Sequence, residues 1–303
     1  MIAASHDTNR FQTVFQLLQL GTIAVFWGRA FQHLYWDAPF RALLWDEEWM
    51  SGPVQSLLGM DWQTYITHPD IDQSINQLIM GFGLLYLLCG LVALLLHRLP
   101  SFCSHFLLLG SLGLVFLSLL YCKEKFFSVG QFFEYSLQFT TPVFLWLLHR
   151  QQKLSPSLMR WMAWAIALTF TCHGLYAVNF YPRPGLFVGM TINILPVSED
   201  TAIHFLNAAG ALDFILSAAL LLLPRHRWSP FLLYASLWGL LTALARVWAH
   251  FHFEFASEAL LAWTHEMIFR FPHFLVPLAL WYYLPAWPAQ VSKWRLKSTK
   301  LTT

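Results

Sequence analysis

Long apolar stretches separated by short polar segments are the main pattern of this sequence. Each stretch approaches or exceeds the length of about 17 to 25 residues that crosses a bilayer as an α-helix. The stretches run over residues 13–34, 76–96, 104–122, 128–148, 158–179, 204–223, 229–250 and 260–284. Because a backbone in hydrocarbon must satisfy its own hydrogen bonds, each is predicted to be helical. The pattern therefore predicts an all-α polytopic membrane protein with about eight transmembrane helices.

The composition supports the same class. Hydrophobic residues make up 57% of the 303 positions and charged residues only 11%, too few to cover the surface of a soluble domain. The 15 Trp and 27 Phe residues suit lipid contact and interfacial belts. The net charge of +2 does not indicate a nucleic-acid partner, so the lipid bilayer is the expected one. No P-loop, GxGxxG or GxSxG motif is present, which argues against a self-contained enzyme with a soluble active site.

The charges are distributed unevenly between the two sets of connecting segments. An even number of spans places both termini on the same side of the membrane. The segments on that side, with the residues beside them, contain eleven of the 18 basic residues but only one acidic residue, Asp7. This asymmetry predicts that both termini are cytoplasmic. The first apolar run continues into Arg29 and His33 without a cleavage site, so we expect a retained span. The tail is expected to anchor to anionic lipid through Lys293, Trp294, Arg295 and Lys297.

The two halves of the chain repeat the same order of landmarks. Leu34 and Tyr35 of the first half align with Leu175 and Tyr176 of the second. Three further positions align in the same order: Gly83 with Gly210, Gly113 with Gly239, and Glu134 with Glu266. We therefore predict two parallel four-helix repeats, over residues 1–153 and 154–303, related by an axis along the membrane normal.

The longest connection, residues 35–75, mixes tryptophans with acids and is predicted to lie on the extracytoplasmic side. Such a mixture suits a helix in the membrane interface. Its acidic face is also a candidate docking surface for other protein subunits. The equivalent segment of the second repeat, 180–203, is proline-rich and is expected to cap the outer end of its bundle.

The second half carries a family resemblance. The sequence HGLYA near the end of span 5, followed after an outer connection by NAAGALDFILSAALLLLP, resembles the DoxX-like superfamily, best over residues 160–284. The first half resembles that unit more loosely, and its DAPFRALLWDE segment is also similar to the HTTM domain of vitamin K-dependent carboxylases. No counterpart of the carboxylase's base lysine is present, so we do not expect that chemistry.

The DoxX-like resemblance implies an integral membrane partner in electron transfer, as in thiosulfate:quinone oxidoreductase and related quinol-linked assemblies. More distant relatives act as membrane chaperones or cargo receptors. We accordingly expect the protein in a bacterial inner membrane, with a quinone as the possible cofactor.

Four charged residues within the predicted spans suggest a buried chain. Charges in hydrocarbon cost several kcal/mol unless they are paired or hydrated. Asp213 and Arg270 fall near the midplane, Glu266 and Arg270 are one helical turn apart, and Arg246 shares the depth of Glu266. We therefore predict the chain Asp213–Arg270–Glu266–Arg246, either as an ion network that fixes helix packing or as a ligand or proton site.

A site in the second half is favoured because the first half has Tyr86 at the place of Asp213 and Leu120 near that of Arg246. A quinone would need an apolar slot, aromatic walls and a His or Tyr beside an acid. The candidate ligand-binding residues are His173, Tyr176, Asn207, Asp213, Arg246, Trp248, His265, Glu266 and Arg270.

Metal binding is a secondary possibility. His250, His252 and Glu254 have the side-chain types of metal ligands, but residues two apart do not share a helix face.

Three functions remain open from the sequence. The first is a membrane subunit of a quinone-linked or electron-transfer assembly. The second is a non-catalytic structural or assembly subunit, and the third is a small-solute or proton transporter.

Overall fold

The computed structural model describes residues 2–284, with the side chains of 9–284, and this part of the chain contains helices and no strand. The basic tail predicted to bind lipid lies outside these residues. The α-helices are α1 Ile2–Tyr35, α2 Arg41–Leu44, α3 Glu47–Leu58, α4 Trp62–Thr67, α5 Pro69–Leu94, α6 His105–Glu124, α7 Val129–Glu134, α8 Ser136–Gln151, α9 Pro156–Ala177, α10 Gly185–Ile194, α11 Glu199–Leu222, α12 Ser229–Trp248, α13 Ala256–Ile268 and α14 Pro272–Tyr283.

Five helical segments are long and apolar enough to cross a membrane. They are Asn9–Tyr35, Pro69–Leu94, Ser101–Glu124, Glu199–Leu222 and Ser229–Trp248. The predicted class, an α-helical polytopic membrane protein, is confirmed to this extent. The other three predicted spans correspond to α9 and to two interrupted helices, α7 with α8 and α13 with α14, so the number eight stays a prediction.

Local sequence signals set the helix boundaries. Asp46 and Asp61 accept backbone hydrogen bonds from the first turns of α3 and α4, and Gly59 ends α3 in the left-handed conformation. Ser155 caps α9 in the same way, directly before Pro156 at the first helical position. The connection 35–75 therefore folds into three short helices, α2 to α4, rather than an extended loop.

The packing partners of the helices follow the same scheme in both halves. In the first half α1 packs on α5 and α6 packs on α8; in the second, α9 packs on α11 and α12 on α14. Across the halves, α1 packs on α13 and α14, while α9 packs on α7 and α8. One apolar core crosses this boundary, because Leu18 and Leu145 belong to the same buried cluster as Ile166 and Val276.

The fourth predicted span is interrupted in each half, and a helix from the other half covers each break. At the α7–α8 break the Leu137 amide donates to Thr169 Oγ1 of α9 at 3.1 Å. At the α13–α14 break α1 approaches so closely that a Cβ on Gly28 would lie 2.8 Å from the Phe269 nitrogen, so only glycine fits. The two interruptions therefore hold the halves together.

Arg29 of α1 lies between the two breaks and is 1% exposed. Its Nη2 donates to Gln138 Oε1 at 2.7 Å and its Nη1 donates to Gln32 Oε1 at 2.6 Å. The guanidinium carbon lies 3.8 Å from the Phe269 ring centroid and 5.0 Å from the Tyr135 ring centroid. Tyr135 belongs to the α7–α8 break and Phe269 to the α13–α14 break. No carboxylate among residues 9–284 forms an ion pair with it.

The outer connection of the first half is tied to the bundle by charged contacts. Lys123 at the end of α6 forms an ion pair with Asp46, and its hydrogen bond holds the pKa of the Asp46 carboxyl below its ordinary value. Arg41 of α2 pairs with Asp72 of α5 at 2.7 Å. These contacts fix α2 and α3 over the end of the first bundle.

We expect Arg29→Ala to lower the free energy of unfolding by about 3 kcal/mol or more. The substitution leaves a void, and it leaves the side-chain oxygens of Gln32 and Gln138 without the hydrogen bonds that Arg29 donates. Thermal and denaturant unfolding in mild detergent would measure this. Arg160→Ala, at an exposed position of α9, is the matched control and should change stability by less than about 0.5 kcal/mol. Equal stability of the two variants would contradict the role given to Arg29.

Candidate functional site

A cavity of about 480 Å³ lies in the second half, enclosed by α9, α10, α11, α12 and α14. Most of its wall is apolar and aromatic, as is usual for sites that bind small lipid-soluble molecules. Phe170, Phe187, Met190, Leu206, Trp238 and Leu244 contribute to this wall. Along α12 the lining runs from Trp238 to Trp248, ten residues or about 15 Å of helix, so the cavity is elongated.

One side of the cavity opens between α11 and α12 towards the surface that would face lipid. The rim residues Leu241, Leu244 and Trp248 are 57%, 42% and 72% exposed, and Phe205 on α11 is also exposed. α10 forms the remaining cover through Phe187 and Met190. The predicted cap over residues 180–203 therefore corresponds to a short apolar helix that forms part of the cavity wall.

Five of the nine residues predicted to bind a ligand line this cavity. They are His173, Asp213, Arg246, Trp248 and Arg270. These residues lie on three helices, α9, α11 and α12, and in the α13–α14 break. For all of them except Trp248, the sequence signal was a polar side chain at a similar depth within a predicted span. The structure thus brings together most of the predicted set, in the half where the sequence placed it.

The other four predicted residues do not line the cavity. Tyr176 is buried and donates to Gln131 Oε1 at 3.4 Å, next to α7. Asn207 is exposed and accepts from Arg183 at 2.6 Å in the outer connection. His265 packs between Phe31 and Trp36 of the first half, and Glu266 lies behind the wall, between two arginines.

Three of the four residues in the predicted buried chain are joined. Glu266 Oε2 lies 3.4 Å from Arg246 Nη1 and 3.1 Å from Arg270 Nη1, so one carboxylate pairs with both guanidinium groups. Arg246 is 6% exposed, and its Nε has no hydrogen-bond partner within the described residues. The triad fixes α12 against the α13–α14 break.

The predicted Asp213–Arg270 pair is wrong. Asp213, 2% exposed, accepts a hydrogen bond from the Tyr234 hydroxyl at 3.3 Å, and the described residues show no ion pair between it and Arg270. Depth along a helix placed the two residues at similar levels, but depth says nothing about the direction in which a side chain projects. Tyr234 is on the face of α12 that Asp213 meets.

The sequence prediction missed two groups of the site: Glu134, which contacts the cavity residue His173, and His273, which lines the cavity. Glu134 belongs to the first half, yet its Oε1 lies 3.5 Å from Nδ1 of His173 in the second half. His273 is 4% exposed, lines the cavity, and its ring lies 5.4 Å from that of His173 in an edge-to-face arrangement. The alignment of Glu134 with Glu266 was a usable signal for the first, whereas only the tertiary packing reveals the contact with His173.

The described structure does not arrange His250, His252 and Glu254 as a metal site. His250 Nδ1 lies 2.9 Å from the Arg246 carbonyl oxygen, and its ring stacks on Trp263. His252 and Glu254 are exposed. Within the described part of the chain, no three His, Cys, Asp or Glu side chains are arranged to hold a metal ion.

The corresponding region of the first half is filled. Tyr86, at the position aligned with Asp213, is fully buried against His33 and lies close to Gly113. Phe40 and Leu120 complete this packing. Large side chains thus occupy the region of the first half that the predicted repeat would match with the cavity.

Double-mutant cycles test the charge assignments. We expect Arg246→Met and Glu266→Gln to be coupled by about 1 kcal/mol or more in unfolding free energy, because each removes a partner of the same partly buried ion pair. Asp213→Asn and Arg270→Met should add to within about 0.5 kcal/mol, since no contact joins them. The reverse result in unfolding measurements would restore the original pairing.

Comparison with known proteins leaves the family of the chain open: no family model, no curated protein and no solved structure matches it.

Proposed function

We propose that this protein binds a lipid-soluble ligand of the quinone class in the cavity of its second half, as the integral membrane subunit of a redox assembly. The observation that carries this proposal is an elongated apolar cavity that opens sideways between α11 and α12. A ligand dissolved in the bilayer reaches such a site without crossing water. The His173 and Arg270 side chains in the wall supply the polar contacts that a ring carbonyl or hydroxyl needs.

The proposal includes a topology of eight spans in two duplicated bundles, with both termini cytoplasmic. Each half pairs its first helix with its second and its third with its fourth, and each fourth helix is interrupted near an aligned glutamate, Glu134 or Glu266. In this orientation the acidic residues at the start of α3 and at the start of α5 face the extracytoplasmic side. Exposed carboxylates such as Asp70 then offer a docking surface for an electron-transfer partner.

A carrier for protons or a small solute is the second candidate function. Transporters with internal repeats often place their substrate site at interrupted helices in corresponding positions of the two halves. The α7–α8 and α13–α14 interruptions fit that arrangement, and each lies beside a glutamate, Glu134 or Glu266. Proton flux into proteoliposomes that contain this protein alone would favour the carrier.

Ligand binding is tested by filling the cavity. In nanodiscs, we expect a decyl-substituted benzoquinone and its quinol to bind at one saturable site, and Ala245→Trp to weaken binding at least about tenfold by occupying that space. Ala218→Trp, the same change at an exposed position of α11, is the matched control and should leave binding unchanged. Absence of saturable binding by the native protein would refute the proposal.

Orientation is tested by cysteine labelling in a variant without the four native cysteines. We expect Ser56→Cys in α3 to react with a membrane-impermeant maleimide on intact cells. Gln152→Cys, in the connection between the halves, should react only after permeabilisation. The opposite labelling pattern would reverse the proposed topology.

A further inference from the structure

Among the histidine and the two arginines His173, Arg246 and Arg270 of the cavity wall, the His173 side chain is the most exposed. Its side chain is 23% exposed, compared with 11% for Arg270 and 7% for Arg246. Its Nδ1 faces Glu134 Oε1 at 3.5 Å, and the other contacts of the ring within the described residues are with the Phe170 and His273 rings, so Nε2 makes no hydrogen bond there. The ring therefore has one nitrogen directed to a carboxylate and the other available to a ligand.

Glu134 is itself held in place. Gln131, one turn earlier on α7, donates from Nε2 to Glu134 Oε2 at 3.1 Å, and the Tyr176 hydroxyl donates to Gln131 Oε1. The glutamate side chain is 12% exposed. The free carboxylate oxygen is thus directed at His173 by contacts that join α7 of the first half to α9 of the second.

A carboxylate accepts hydrogen bonds and cannot donate them, so it favours the tautomer in which His173 Nδ1 carries the proton. Contacts of this kind are often long without a ligand and shorten when one is bound. Glu134 alone would favour a charged imidazole, but burial in the apolar wall opposes it, and so do Arg270 and Arg246, which already share one glutamate. In the neutral ring, Nε2 is a hydrogen-bond acceptor.

We propose that the cavity prefers the hydroxyl form of its ligand, with a ring O–H donating to His173 Nε2, and that Glu134 is the positioning residue that keeps this nitrogen an acceptor. The inference rests on the proposed function and specifies which redox form of a quinone the site selects. A quinone carbonyl has no proton to donate and would face the lone pair of Nε2. The first half therefore contributes a residue to the site of the second half.

The experiment compares affinities for three probes that share one decyl chain: the benzoquinol, kept reduced without oxygen, its dimethyl ether and the benzoquinone. In nanodiscs we expect the native protein to bind the quinol about tenfold more tightly than the ether or the quinone. His173→Phe should bring this ratio close to one. Since the affinities for all three probes come from the same preparation, loss of folded protein alone does not change their ratios.

Glu134→Leu tests the positioning role and should lower the ratio at least about threefold, whereas Glu134→Asp, which keeps a carboxylate, should retain most of it. His265→Phe is the control, because this buried histidine does not line the cavity. Equal binding of the three probes, tighter binding of the quinone, or an unchanged ratio in His173→Phe would overturn this inference and leave the proposed function standing. If no probe binds the native protein, both fall.

Discussion

A buried guanidinium placed between two interrupted helices is the constraint on which the arrangement of the bundle depends. Arg29 has no carboxylate partner within residues 9–284, so its charge is stabilised by two amide oxygens and by aromatic rings. Those groups come from α1, from α8 and from the α13–α14 break. Because a buried charge without hydrogen bonds is very costly, these elements must stay in register around it. The two halves consequently form one core rather than two separate bundles.

The same interruptions that receive Arg29 also produce the site. A helix that stops and restarts frees backbone groups and turns its side chains in new directions. In the first half this presents Glu134 to His173 of the second, and in the second half it presents Arg270 and His273 to the cavity. Thr169 compensates one freed amide, and the absence of a side chain at Gly28 allows α1 to cover the other break. Structural linkage between the halves and the polar wall of the cavity therefore have a common origin.

The two halves have a similar scheme of helix packing but differ in how completely side chains fill it. Tyr86 and Phe40 fill in the first half the volume that stays open in the second, where Asp213 and the short helix α10 border a cavity. A filled bundle contributes packing and a stable surface against which the open bundle can be held. It also supplies one glutamate, so the cavity is not the property of the second half alone.

The sequence by itself determined the class and most of the candidate site. Apolar length requires helices because hydrocarbon offers no partners to the backbone, and the depth of charged residues identified His173, Asp213, Arg246 and Arg270. It could not give the pairing of Asp213 with Tyr234, the contact of Glu134 with His173, or the absence of His265 from the cavity. Those depend on how far each helix is rotated about its axis and where it is interrupted. Only tertiary packing, within each half and between the halves, decides both, since apolar side chains lie on most faces of these helices and the sequence carries little rotational information.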